Sequence, residues 1–140
     1  MMKTEKYRKI LIVVIILTLA FIWGNSVLDN EQSSSKSGFV VEFLELIFGS
    51  GNVDEHIVRK IAHFLEYALL GFELMLYFSK LPMAAAHGLI ASFFDETLQY
   101  FSPGRSAEVK DMWIDFAGAC AGALFAVILV YIINNLKNKD

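Results

Sequence analysis

The sequence predicts an all-α fold: a polytopic membrane helical bundle of about four transmembrane helices, with a short amphipathic helix outside the membrane. Of its 140 residues, 56% are hydrophobic and only 19% are charged, and the mean hydropathy is +0.50. The charges are bunched, leaving apolar stretches near the ~20 residues that a helix needs to cross the hydrocarbon core of a bilayer. On this pattern residues 1–28 hold an N-terminal transmembrane helix and residues 29–58 an extracytoplasmic linker. Residues 59–133 hold a three-helix region, and residues 134–140 a cytoplasmic tail.

The first span, Ile10 to Trp23 and uncharged on to Leu28, follows Lys3, Lys6, Arg8 and Lys9. A cleaved signal peptide also begins with a basic stretch, but this run is long for a signal core and no Ala-x-Ala site closes it. Trp23 suits an interfacial anchor, so the segment is expected to be a retained span. Asp29 to Lys36 is polar and serine-rich, a solvated linker. Phe39, Val40, Phe43, Leu44, Ile47 and Phe48 then recur near helical spacing, with Glu42 and Glu45 between them and Gly49 and Gly51 after them. This segment is too short to span. It either lies in the interface or caps the bundle from outside.

The second span runs from about Ile61 to Phe78 and the third from Pro82 to Phe101, and the short link at Ser79 and Lys80 forces an antiparallel hairpin. Pro82 fits the first turn of a helix, where its missing N–H costs nothing. The fourth span, Met112 to Ile133, follows the loop Ser102 to Lys110. Four spans bring Lys3, Lys6, Arg8, Lys9, Lys80, Lys137 and Lys139 to one side. Positive charge before the first helix usually sets topology, so both termini are expected in the cytoplasm of a multi-pass protein of a cell membrane.

Ionisable groups inside spans cost a few kcal/mol each on insertion scales, so they need a partner or a purpose. The second span carries His63, Glu66 and Glu73, the third His87, Asp95, Glu96 and Gln99, and the fourth Asp111 and Asp115. Folding the hairpin at Lys80 sets Glu66 level with Asp95, His63 with Glu96, Lys60 with Tyr100, and Glu73 with His87. Lys60, His63 and Tyr67 share a helix face, as do Asp95 with Gln99 and Asp111 with Asp115. One outward pocket could collect them, with Glu73 and His87 as a separate structural pair.

Several carboxylates in low dielectric require cations or protons between them, and Arg59, Lys60, His63, Arg105 and Lys110 stand near enough to compensate. Three readings stay open. The cluster is a salt-bridged network holding the bundle, or it recognises a polar or anionic lipid headgroup with Arg105 as a forked donor. The third is catalysis, with His63, Asp95 or Glu96 as acid/base, or a metal held by His and carboxylates. No HExxH, cysteine cluster or Gly-x-Ser-x-Gly elbow is present, so no cofactor and no metal is assigned. The lone Cys120 can form no intrachain disulfide, and no basic face suggests nucleic acid. Gly118 and Gly122, among alanines, form a small-xxx-small packing face that serves within the chain or in a homo-oligomer.

The blocks RKIAHFLEYALLG (Arg59 to Gly71), DETLQYFSPGRSAEVKDM (Asp95 to Met112) and DFAGACAG (Asp115 to Gly122) resemble the VanZ-like bacterial membrane proteins. The resemblance covers Arg59 to about Ile133. It carries over Lys60, His63, Phe64, Tyr67, Gly71, Asp95, Glu96, Gln99, Gly104, Arg105, Asp111, Gly118 and Gly122, while Asp115 stands where many members have Asn. It implies a bacterial cell-envelope protein, of a family named for a member associated with resistance to the glycopeptide antibiotic teicoplanin, with no settled activity. The leading expectation is therefore a membrane protein that binds a lipid or cell-wall precursor headgroup in its outward pocket and affects glycopeptide susceptibility. The alternatives are an intramembrane enzyme acting on such a headgroup and a structural partner of another membrane protein.

Overall fold

The computed structural model describes residues 2–27, 45, 54–102 and 108–138, and among these the chain forms four helices and no strand. They are α1 (Met2–Val27), α2 (Glu55–Phe78), α3 (Leu81–Tyr100) and α4 (Val109–Lys137). The expected amphipathic helix at Phe39 to Phe48 lies outside the described residues, apart from Glu45, and so does Arg105.

Local chemistry sets the boundaries. Asp54 caps α2 by accepting from the His56 backbone N–H at 2.8 Å, filling one of the donors that a helix start leaves open. At the other end Ser79 adopts the left-handed conformation (φ 53°), and its N–H bonds the Met75 carbonyl at 2.9 Å. Lys80 is extended and Pro82 occupies the first turn of α3. Two residues therefore reverse the chain, and α2 and α3 run antiparallel.

Cross-contacts fix the remaining directions. Arg8, near the start of α1, donates to the Tyr77 hydroxyl at 3.4 Å and lies over its ring, at the end of α2. The Ser102 hydroxyl, just past α3, donates to the Ser26 carbonyl at the end of α1. Lys60 near the start of α2 meets Asp111 near the start of α4. The starts of α1 and α3 and the end of α4 thus share one end of the bundle, and the polar residues gather towards the other.

Helix α2 is the hub, packing against all three other helices. Its closest seam is with α4, where Gly71 faces the Ala119 backbone, Gly118 that of Phe64 and Gly122 that of Ala68. Backbones approach this closely only where side chains are small, which is how helices associate where lipid removes the hydrophobic drive. The core is completed by Ile22 from α1, Tyr67, Leu70 and Leu74 from α2, and Ala84 and Ala91 from α3. The small-xxx-small face is thereby covered within the chain.

Three helices, α1, α2 and α4, are long and apolar enough to cross a membrane by length and composition. Helix α3 falls outside that description because of its polar residues, but these point inward: Ser92, Asp95, Glu96 and Gln99 are buried, while Ile90, Phe93 and Phe94 are exposed. Its 20 residues reach about 30 Å, the thickness of the hydrocarbon core. The fold is the expected all-α membrane bundle.

Trp23 packs against the bundle: its ring is half-buried beside Phe94, with centroids 6.0 Å apart, and its N–H reaches the Ala91 carbonyl at 3.4 Å. One expectation is corrected. Glu73 and His87 do not pair. Glu73 accepts from the Thr18 hydroxyl at 2.9 Å, whereas His87 Nδ1 donates to the Met83 carbonyl at 2.8 Å and its ring lies on Phe78. Matching by depth ignored the direction in which each helix face turns, and α1 supplied the better donor.

Candidate functional site

Helix α2 presents Lys60 and His63 one turn apart, on the side where α3 and α4 converge. The Lys60 ammonium is 2.7 Å from an Asp111 oxygen, a half-buried ion pair near the end of the bundle. One turn deeper, His63 Nδ1 lies 3.8 Å from Asp95 Oδ2 and 3.8 Å from Asp115 Oδ1. Asp95 is fully buried and Asp115 is 2% exposed. An imidazole therefore sits between two carboxylates from two other helices.

The surroundings hold this arrangement in place. Gln99 Nε2 donates to Asp95 Oδ2 at 2.9 Å, a contact that the one-turn spacing on α3 makes possible. Glu96 points towards the start of α4, where its Oε2 accepts the Glu108 backbone N–H at 2.9 Å. That bond links α3 to the N-cap position of α4, and it could not be read from the sequence because any residue at 108 other than proline supplies the same donor. Asp115 Oδ2 has no hydrogen-bond partner among the described residues.

Of the residues singled out by sequence, the structure brings together Lys60 with Asp111, and His63 with Asp95, Asp115 and Gln99. Glu96 sits at the edge of this group. Tyr67 is buried below it, with its hydroxyl donating to the Ala91 carbonyl at 3.2 Å, and so ties α2 to α3. Gly71, Gly118 and Gly122 lie in the α2–α4 seam. Arg105 and Gly104 lie outside the described residues.

Beside Glu96 an open groove of about 350 Å³ runs between α3 and α4, lined mainly by apolar side chains such as Phe93, Tyr100, Phe101, Val109 and Met112. Chemically, an imidazole between two carboxylates can relay a proton. The same three side chains each offer a ligand atom within 4.8 Å of the other two, a spacing that can hold a cation.

No curated protein and no solved structure matches the chain. A family model described as VanZ/LLP1 matches residues 11–131, which takes in α1 from Leu11 onward and nearly all of the Arg59 to Ile133 region that carries the motif resemblance. The match spans well over half of the sequence, and the chain belongs to the VanZ/LLP1 family.

Proposed function

We propose that the protein is a cell-envelope membrane protein that binds the polar headgroup of a lipid or lipid-linked cell-wall precursor at the Lys60 to Asp115 cluster, and so alters glycopeptide susceptibility. The observation that carries this reading is the juxtaposition, at Glu96, of a buried polar cluster with an apolar groove open on the outside of the bundle. The groove offers apolar wall to an acyl chain, with Glu96 and Glu108 along the same lining. The Lys60–Asp111 pair offers both charge signs at the end of the bundle, and charge-assisted hydrogen bonds are the strong ones in headgroup recognition. Exposed Phe93, Tyr100 and Phe101 suit the boundary between headgroups and chains.

The basic residues in the first turns of α1, together with Lys80 and Lys137, favour a cytoplasmic location for both termini, and the cluster then faces the outer leaflet. An alkaline-phosphatase reporter fused after Gly104 should be active, and an inactive, stably made fusion would reverse this orientation. Native mass spectrometry from nanodiscs of bacterial lipid extract should retain a lipid on the wild type and lose it in Lys60→Gln combined with Glu96→Gln. The same variant, made at wild-type level, should lose any effect on teicoplanin susceptibility. Retention of lipid and effect by the folded variant would sink the proposal.

His63 between Asp95 and Asp115 is the observation that favours a second reading, an intramembrane enzyme using the imidazole as acid/base. Conversion of a bound lipid to a product of different mass would select it.

A further inference from the structure

We propose that His63, Asp95 and Asp115 bind one divalent transition-metal ion between α2, α3 and α4, of the class to which Zn2+ and Fe2+ belong. The three residues come from three helices, and a ligand atom of each lies within 4.8 Å of the other two. The two 3.8 Å separations from His63 Nδ1 are too long for a direct N–H···O hydrogen bond. They come close to the ~3.4 Å edge of a tetrahedron built on bonds of ~2.1 Å. Closing the two histidine edges by a few tenths of an ångström, and drawing in the aspartate–aspartate edge from within 4.8 Å, gives a ligating triangle.

Asp115 supplies the second, independent observation. It is 2% exposed, and its Oδ2 has no hydrogen-bond partner among the described residues. A carboxylate buried in this way is costly, and Lys60 does not compensate it because Asp111 engages the ammonium at 2.7 Å. A protonated His63 would offset one of the two carboxylates. A dication offsets both and leaves the imidazole neutral, the state in which it ligates.

The donor set narrows the ion. Imidazole suits zinc, copper, iron and nickel, while carboxylates suit manganese, magnesium and calcium, so a mixed set selects the borderline first-row ions over the purely oxygen-seeking ones. Gln99 acts as a positioning residue: its bond to Asp95 Oδ2 fixes the carboxylate as outer partners commonly fix metal ligands. The site lies within the cluster to which the headgroup reading assigns recognition, but the ion needs no lipid to bind, so metal uptake and lipid retention succeed or fail separately.

The test uses the full chain purified in detergent, stripped with EDTA and titrated with Zn2+ alone, with bound metal counted by elemental mass spectrometry. Wild type and Glu73→Gln, which changes a carboxylate far from the site, should each take up one equivalent. Asp115→Asn and His63→Gln should bind weaker by about 100-fold or more. No stoichiometric uptake by the wild type, or uptake unaltered by either substitution in folded protein, overturns the proposal. Should neither variant accumulate, the His56→Gln/His87→Gln double variant loaded with Cu2+ decides: with His63 its one remaining imidazole, nitrogen hyperfine coupling upholds the site, and its absence overturns it.

Discussion

Replacing Gly122 by alanine probes how closely the two central helices are pressed together. A Cβ built there overlaps the Ala68 carbonyl oxygen and stands 2.9 Å from Ala68 Cα, both atoms of rigid helical backbone. Atoms in ordinary contact are about 3.5–4.0 Å apart and the carbonyl group lies nearer still than the Cα, so α2 and α4 must part by more than about 1 Å, and a gap of that size forfeits about half or more of each dispersion contact along the seam. Overpacking typically costs about 1–3 kcal/mol. The upper end applies here because no flexible side-chain end can give way. Alanine recovers about 1 kcal/mol of helix propensity, which leaves a net loss of about 2 kcal/mol. Gly24 provides the control, since nothing lies within 4 Å of a Cβ there, and Gly24→Ala should be neutral or stabilising by up to about 1 kcal/mol. Reversible unfolding in mixed detergent and SDS, followed by helical circular dichroism, measures both. Equal stability of the two variants would refute the close seam.

Further outcomes follow from the other contacts. Lys60→Gln should cost about 1 kcal/mol in the same assay, because its partner Asp111 is only half-buried, and Asp111→Asn in the same chain should restore part of it. Thr18→Val removes the donor to Glu73 and should cost about 1–3 kcal/mol, whereas His87→Ala, which touches no part of Glu73, should not reproduce that loss. Gln99→Ala should leave the bundle folded and weaken Zn2+ binding about 10- to 100-fold, as removal of an outer partner does, measured by isothermal titration.

The helices were legible because their signals are local. Apolar length marks a span, the two residues between Phe78 and Leu81 permit only a hairpin, and Pro82 marks a helix start. The polar cluster was legible for a related reason: His63, Asp95, Asp111 and Asp115 are groups that lipid penalises, so their shared end could be derived from depth alone. What depth does not encode is azimuth. Glu73 and His87 lie at matching depth on adjacent helices, yet the first turns towards α1 and Thr18 while the second turns back along its own helix. Thr18 itself gave no sign, because a threonine within an apolar run is tolerated in lipid by bonding its own backbone. The Glu108 N–H bonded to Glu96 was invisible for another reason, since a backbone donor leaves no trace in residue identity.

The glycine seam and the polar cluster belong to one construction. Gly118 lies one turn after Asp115 on α4, and its missing side chain lets that helix rest against the Phe64 carbonyl, the residue next to His63. Aspartate is among the shortest acidic side chains, so Asp115 can approach the imidazole only where the two backbones already lie this close. A wider helix pair would need a longer, more flexible acid at 115, whose placement would cost more side-chain entropy. Close packing at Gly71, Gly118 and Gly122 therefore does more than hold the bundle: it sets the separation at which His63 and Asp115 face one another.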